Sequence, residues 1–353
     1  MTERVLSTRA LNRALLARQF LLERADMPIP RLLERIGGIQ AQYAPSGYIG
    51  LWSRLSGLQR QALTTAMEQR QVVTATLMRT TIHLVSARDY PLMAAGVRDA
   101  RRSWWLRAFR QTGEEREMEA FARRLRAHLA EGPRRRTELV KLLEGDGFAP
   151  ALWSGMGLWV DMVRVPPSGT WERRRADLYG LAEQWLSTST ATEAEGLAHL
   201  LRRYLEGFGP ASLEDAANWA GIPASALQPV VQGLTLRRFR DQLGGELLDL
   251  PSSPLPDPDT PVPVRLLPTW DATLLVHARR TLIMPEAYRP MVFSTKTPQS
   301  VPTFLVDGAV AGSWRYEGGG IKLTPFGKLD RSTRIELQDE AERLAAFHSN
   351  PPS

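Results

Sequence analysis

Two glutamines, Gln40 and Gln42, flank one small apolar residue in the run Gly37-Gly38-Ile39-Gln40-Ala41-Gln42-Tyr43-Ala44-Pro45. A primary amide offers a carbonyl acceptor and N–H donors, but it does not titrate. Hydrolases that work by proton transfer need a group that does. A glutamine pair therefore suits a reaction with little proton transfer, in which fixed dipoles orient a water and face charge that develops in the transition state. The plainer alternative is a pair of solvated loop amides, and a spacing this short does not choose between the two.

The elements around the pair have to present it. Residues 29–36 read as a helix, and Gly37 and Gly38 can take positive φ and stop it. Pro45 and Ser46 open the next helix, through residues 47–58. The pair thus falls in a short connector. If that connector is extended, residues i and i+2 point the same way, and both amides face one spot. Helices also read at 5–23, with Ser7 or Thr8 as cap, and at 60–69. Over 72–85 the period switches to that of a Val/Thr/Ile-rich β-hairpin. Helices followed by a hairpin are the pattern of a winged helix-turn-helix, a DNA-docking module. Alternation within the hairpin puts Arg79, Thr81 and His83 on one face. Arg79 is assigned to a DNA phosphate, while His83 reads first as a satisfied histidine of a half-buried strand and second as a DNA contact.

Residues 86–110 form a predicted helix carrying Arg98, Arg101, Arg102, Trp104, Trp105, Arg107, Phe109 and Arg110. Cations interleaved with aromatics suit a phosphate-binding surface with stacking platforms. They suit equally a core tryptophan with a solvated arginine face. Helices at 114–129 and 133–143, the latter with Thr137 as candidate cap, precede a strand, a Pro166-Pro167-Ser168-Gly169 turn and a return strand within 158–171. Residues 192–250 repeat the theme, with Ser212 ahead of Asp215 as a capping signal. A Pro-rich stretch at 251–263 reads as a stiff linker. Beyond it the character turns to strands, with Asp307-Gly308 as a hairpin turn and a final helix at 335–347.

Composition limits the chemistry. The chain has 353 residues, no cysteine, a net charge of +7 and a pI near 10.0. Without cysteine there is no disulfide or thiolate metal site, and the expected compartment is the cytoplasm, in association with the nucleoid. His83, His128, His199, His277 and His348 lie far apart and show no metal spacing. No metal or cofactor is therefore expected. No apolar run approaches a membrane span, and no Gly-rich loop has the spacing of a phosphate cradle. An arginine-rich excess favours a polyanionic partner.

The blocks Gly37–Gln42, Gly50-Leu51-Trp52-Ser53-Arg54-Leu55, the Arg-x-Thr-x-His segment at 78–85, 164–171, 266–271 and 304–315 together resemble the AlkZ-like DNA glycosylase family. In that family a Gln-apolar-Gln or, in the YcaQ type, Gln-apolar-Asp element is catalytic, and this chain carries the first form. The resemblance implies that Gln40 and Gln42 are catalytic. It implies an α+β fold of tandem winged helix-turn-helix units followed by a β-rich C-terminal domain. The units would span 1–90, 91–190 and 191–250, with a linker at 251–263 and the β-rich domain at 264–353. It further implies a monofunctional glycosylase, monomeric, acting on double-stranded DNA with a cationic N7-alkylated purine. Such a base departs neutral without a general acid. Simple adducts and interstrand crosslinks are both within that scope. Arg79, Thr81, His83, Arg98, Arg101, Arg102, Trp104 and Arg107 would contact DNA. Tyr43 departs from the polar or acidic residue pictured there and leaves the lesion open. Asp271 reads as a structural acid or a second catalytic group. The alternative from another class is a non-enzymatic winged-helix DNA binder.

Overall fold

Strands Val72–Thr76 and Ile82–Ser86 pair antiparallel in the register Val72↔Ser86 to Thr76↔Ile82. β-Branched residues dominate the first and flank His83 and Leu84 in the second, as a pleated, half-buried surface favours. This computed structural model describes residues 4–186, 191–275, 281, 283–293 and 300–349, so His277 lies outside the described residues. The hairpin supplies the second and third strands of a six-stranded antiparallel sheet. On one side Ile39–Gln40 pairs with Ile82–Ser86. On the other, Met162–Arg164 pairs with Val72–Thr76, followed by Leu178–Leu181 and Arg134–Arg135. The hairpins of residues 1–90 and 91–190 thus form one continuous sheet.

Several elements differ from the sequence expectation. The helix expected at 47–58 runs Ala44–Trp52. The helix expected at 86–110 is Tyr90–Ala108, because Ser86 is still in the strand. Helix Arg136–Gly145 starts ahead of Thr137, and Arg135 is its cap, without a side-chain hydrogen bond. The return strand lies at Leu178–Leu181, not at 170–171. Ser168 folds the intervening loop back: its hydroxyl donates to the Arg175 carbonyl and accepts from the Asp177 and Leu178 N–H groups.

Helix Tyr90–Ala108 packs along helix Glu193–Phe208 where Gly96 meets Gly196. A Cβ on either glycine would come within 2.6 Å of the other's backbone. Helices Leu213–Ala220 and Ala224–Gly233 lead into strands Arg237–Asp241 and Glu246–Asp249, which Val5–Leu6 joins in parallel. Ser7 caps Thr8–Arg18 and Ser212 caps Leu213–Ala220, as their positions predict. The Pro-rich stretch lies along the first helix, with Arg13 donating to the Thr260 carbonyl and Arg18 to that of Pro254. Strands Arg265–Leu267, Thr303–Val306, Ala309–Glu317 and Gly320–Pro325 form an antiparallel sheet, turned at Asp307-Gly308. Helix Arg331–Ser349 lies on that sheet through Leu337, Leu344 and Phe347. The architecture is mixed α+β. Among the described residues, no helix is long and apolar enough to cross a membrane, and no group of histidine and acidic residues is arranged for a metal.

Candidate active site

The connector carrying the glutamines is an edge strand, not a solvated loop. Gly37 ends the preceding helix at φ 75°, and the chain then pairs with Ile82–Ser86, Gln40 facing His83 in the register. Ala41 donates to the Ile82 carbonyl at 2.8 Å. Gln40 is only 5% exposed, whereas Gln42 is exposed. The two amides are therefore not equivalent, as extended alternation alone would have made them.

Both amides are oriented by donors from the hairpin. Arg79 Nη2 donates to Gln40 Oε1 at 2.9 Å, and the Ile82 N–H donates to Gln42 Oε1 at 3.1 Å. An arginine and a backbone N–H can only donate, so each glutamine must turn its oxygen to the protein. Each oxygen keeps a lone pair, and the Gln40 carbonyl is directed at Arg79.

The hairpin tip is backbone-strained. Arg79 and Thr80 adopt φ 53° and 59°, left-handed values that cost a non-glycine residue about 1–2 kcal/mol each. The alternation expected of Arg79, Thr81 and His83 breaks here, since Met78–Thr80 form a 3-10 turn. What holds the tip comes from helices Tyr90–Ala108 and Leu213–Ala220. Arg79 Nη1 donates to the Trp219 carbonyl, Arg101 Nε to Thr80 Oγ1 at 2.9 Å and Arg101 Nη1 to the Gly221 carbonyl at 3.3 Å. Gly221, at φ 77°, lies so close that a Cβ would stand 2.8 Å from Arg79 Cα. The guanidinium reads from sequence as a phosphate ligand. The structure instead uses it to tie Gln40 to the end of helix Leu213–Ala220. Burial, and then the Arg101 charge, lower it to about 10, which leaves it a cation at neutral pH.

His83 is buried, its Nδ1 paired with the Thr81 carbonyl. Burial, and then the Arg79 charge, push the imidazole down to about 3, so it is neutral. Thr81 donates to the Met78 carbonyl. On helix Tyr90–Ala108, Arg98 pairs with Asp161 at 2.7 Å, and Arg102 donates to the Leu158 carbonyl at 2.6 Å. The Arg101 guanidinium lies 4.0 Å from the Trp104 ring centroid. Trp105 is core, whereas Trp104 is 40% exposed and Arg107 is exposed. Asp271 is buried and takes both Arg54 Nη atoms, at 2.9 and 3.0 Å. Burial pushes its carboxyl up, but the Arg54 charge and hydrogen bonds, with those of Thr273, hold it below its ordinary value. That pairing makes it a structural acid.

A cleft of about 340 Å³ opens beside the motif, lined by Tyr43, Ser46, Trp171, Arg174, Tyr316 and His348 among others. Arg174 donates to the Tyr43 hydroxyl at 2.7 Å. Sequence reasoning missed Trp219, Gly221, Ser46 and Arg174. The glycine after a short helix is the one local signal that pointed to any of them.

No curated protein matches the chain. Among solved structures, the Streptomyces sahachiroi DNA glycosylase AlkZ superposes with a TM-score of 0.81 over 97% of this chain and 96% of that one, at 18% identity, which shows a shared fold. The family model described as DNA glycosylase AlkZ-like matches residues 33–347. The chain belongs to the AlkZ-like DNA glycosylases, enzymes that act on DNA.

Proposed function

We propose that this glycosylase hydrolyses the N-glycosidic bond of cationic N7-alkylated purines in duplex DNA, with Gln40 and Gln42 as its catalytic residues. The observation that carries the reading is a pair of non-titrating amides, both oriented by the hairpin segment 79–82, with no acid or base in hydrogen-bonding contact with either among the described residues. An N7-alkylated purine already carries its positive charge. It leaves as a neutral base, and the sugar becomes oxocarbenium-like. Gln40, its oxygen turned to Arg79, keeps its N–H groups to hold a water. Gln42 keeps a lone pair on its oxygen to accept from that water or to oppose the growing charge. Water is the nucleophile: its oxygen bonds to C1′ as the C1′–N9 bond breaks, and its proton passes to bulk solvent, so the reading is monofunctional. Arg79 is a positioning residue. Crosslinks attached through N7 follow the same bond cleavage and fall within the proposal. We infer winged-helix-like units at 1–90, 91–190 and 191–250, the first two sharing a sheet. Exposed Trp104 and Arg107 then sit on a face for DNA. Release of free base from N7-methylguanine duplex, leaving an abasic site, tests the reading. Intact DNA after prolonged incubation at saturating enzyme overturns it.

A further inference from the structure

We propose that loop 172–175 clamps backbone phosphates of the lesion-bearing strand, within a few nucleotides of the reacting sugar, an inference that rests on the glycosylase reading above. Arg173, Arg174 and Arg175 are consecutive and all exposed. Arg175 is tied to Asp177 at 3.0 Å. Among the described residues, Arg173 and Arg174 pair with no carboxylate, and Arg174 donates to the Tyr43 hydroxyl at 2.7 Å. Glu172, exposed beside them, pairs with neither.

A solvated arginine face needs no fixed backbone, and this loop has one. The Gly169 N–H, at φ 78°, donates to the Arg173 carbonyl at 2.8 Å and reaches that of Arg175 at 3.2 Å. Thr170 Oγ1 donates to the Pro167 carbonyl at 2.8 Å and accepts the Arg173 N–H at 3.2 Å. Ser168 Oγ donates to the Arg175 carbonyl at 2.8 Å. The backbone that presents Arg173 and Arg174 is thus ordered before any ligand arrives, which lowers the entropy lost on binding.

A third cation stands close by. Arg60 lies 4.9 Å from the Trp171 ring centroid and donates to the His348 carbonyl at 3.2 Å. It too pairs with no carboxylate among the described residues. Burial, and then the Arg60 and Arg174 charges, lower the His348 imidazole to about 4, so the field of both guanidinium groups reaches it. Like charges gathered without counterions attract a polyanion, and a guanidinium fork matches two phosphate oxygens.

Placement names the strand. Arg174 holds Tyr43, which follows Gln42 directly, and consecutive Cα atoms are about 3.8 Å apart. Successive nucleotides of one strand advance about 3.4 Å along the duplex. With the reacting C1′ at the glutamines, the phosphates nearest Arg173 and Arg174 belong to the strand that carries that sugar.

Equilibrium binding of the full chain tests this, on a duplex with one N7-methylguanine whose sugar bears a 2′-fluorine to slow loss of the base. Two further duplexes carry neutral methylphosphonates at the three linkages 5′ or 3′ of the lesion. The uncharged double variant, Arg173→Gln with Arg174→Gln, should weaken binding to the first duplex about 10- to 100-fold near ~0.1 M salt and reduce the salt slope by about 2. On one of the methylphosphonate duplexes it should cost less than about threefold, because its phosphate partners are already gone. Arg173→Lys with Arg174→Lys keeps both charges and should keep the slope; a lysine variant that loses as much as the uncharged one assigns the effect to the loop's fold and overturns the clamp. An unchanged slope in the uncharged variant, or equal losses on all three duplexes, overturns it as well while the glycosylase reading stands. Base release by the wild-type chain from the same duplex without fluorine is scored separately. Its absence overturns the glycosylase reading, and the slope still decides the clamp.

Discussion

Replacing Arg79 with methionine separates a residue that positions Gln40 from one that binds a phosphate. Methionine has similar reach and no donors, so Gln40 Oε1 and the Trp219 carbonyl lose their partner. Each acceptor left buried and unpaired costs about 1–3 kcal/mol. Against this, the burial that lowers the guanidinium to about 10 disfavours its charged form by roughly 3 kcal/mol, and methionine removes that penalty. The net change therefore lies between a gain of about 1 and a loss of about 3 kcal/mol. Catalysis responds differently. Gln40 keeps its strand pairing with His83, but its amide is free to turn. Losing a preorganised dipole lowers rates by about 10²–10³, and a misoriented one approaches that loss. Single-turnover excision at saturating enzyme, with DNA affinity across a salt series, is the assay. Positioning predicts slower excision with the salt slope unchanged. A phosphate contact predicts a slope smaller by about 1 with excision at saturation intact, and that result refutes the positioning role.

Excision should be level across roughly pH 6 to 9, because neither glutamine titrates; a bell-shaped profile would point to an acid or base elsewhere. Stability should fall with acid: His83 is held down to about 3 and titrates near ~6.5 when unfolded. Between those values the unfolded chain binds a proton the folded chain does not, so urea midpoints drop as pH falls below about 6.5, and His83→Asn flattens part of that slope. Asp271→Asn leaves the Arg54 charge buried without its counterion and should cost about 3–5 kcal/mol in equilibrium unfolding, with excision by the folded fraction near wild type; a selective catalytic loss would contradict its structural role. Arg107→Glu should weaken binding to any duplex sequence and reduce the salt slope by about 1–2; an unchanged slope removes this helix face from the DNA surface.

Much of the scaffold was legible locally. The change of period at residue 72 marked the hairpin, Gly37 marked a helix stop, and Ser7 and Ser212 marked helix starts. These are short-range signals, in which each residue's own backbone preference decides. The site was less legible because its geometry is made by remote partners. Gln40 reads as a loop residue until a strand some forty positions on is seen to pair with it. The left-handed backbone at Arg79 has no sequence signal in a non-glycine residue, and its carbonyl acceptor on Trp219 lies 140 positions away. Arg54 and Asp271 are 217 positions apart, and only the fold shows that each neutralises the other. The arginine run on helix Tyr90–Ala108 looked uniform, yet Arg98, Arg101 and Arg102 hold protein groups while Arg107 is exposed.

The most direct test is single-turnover release of N7-methylguanine from duplex DNA by Gln40→Ala and Gln42→Ala, each beside its own binding isotherm and thermal melt. The melt matters for Gln40, which is buried and linked to Arg79. Excision should fall about 10²–10³-fold in each folded variant while DNA affinity changes little, because Gln40 holds the attacking water and Gln42 opposes a charge that appears only as the sugar becomes cationic. Gln42→Asp should retain activity, since a carboxylate can also accept the Ile82 N–H. Wild-type excision rates in both alanine variants, or losses in binding that match the losses in excision, would contradict the catalytic role of the pair.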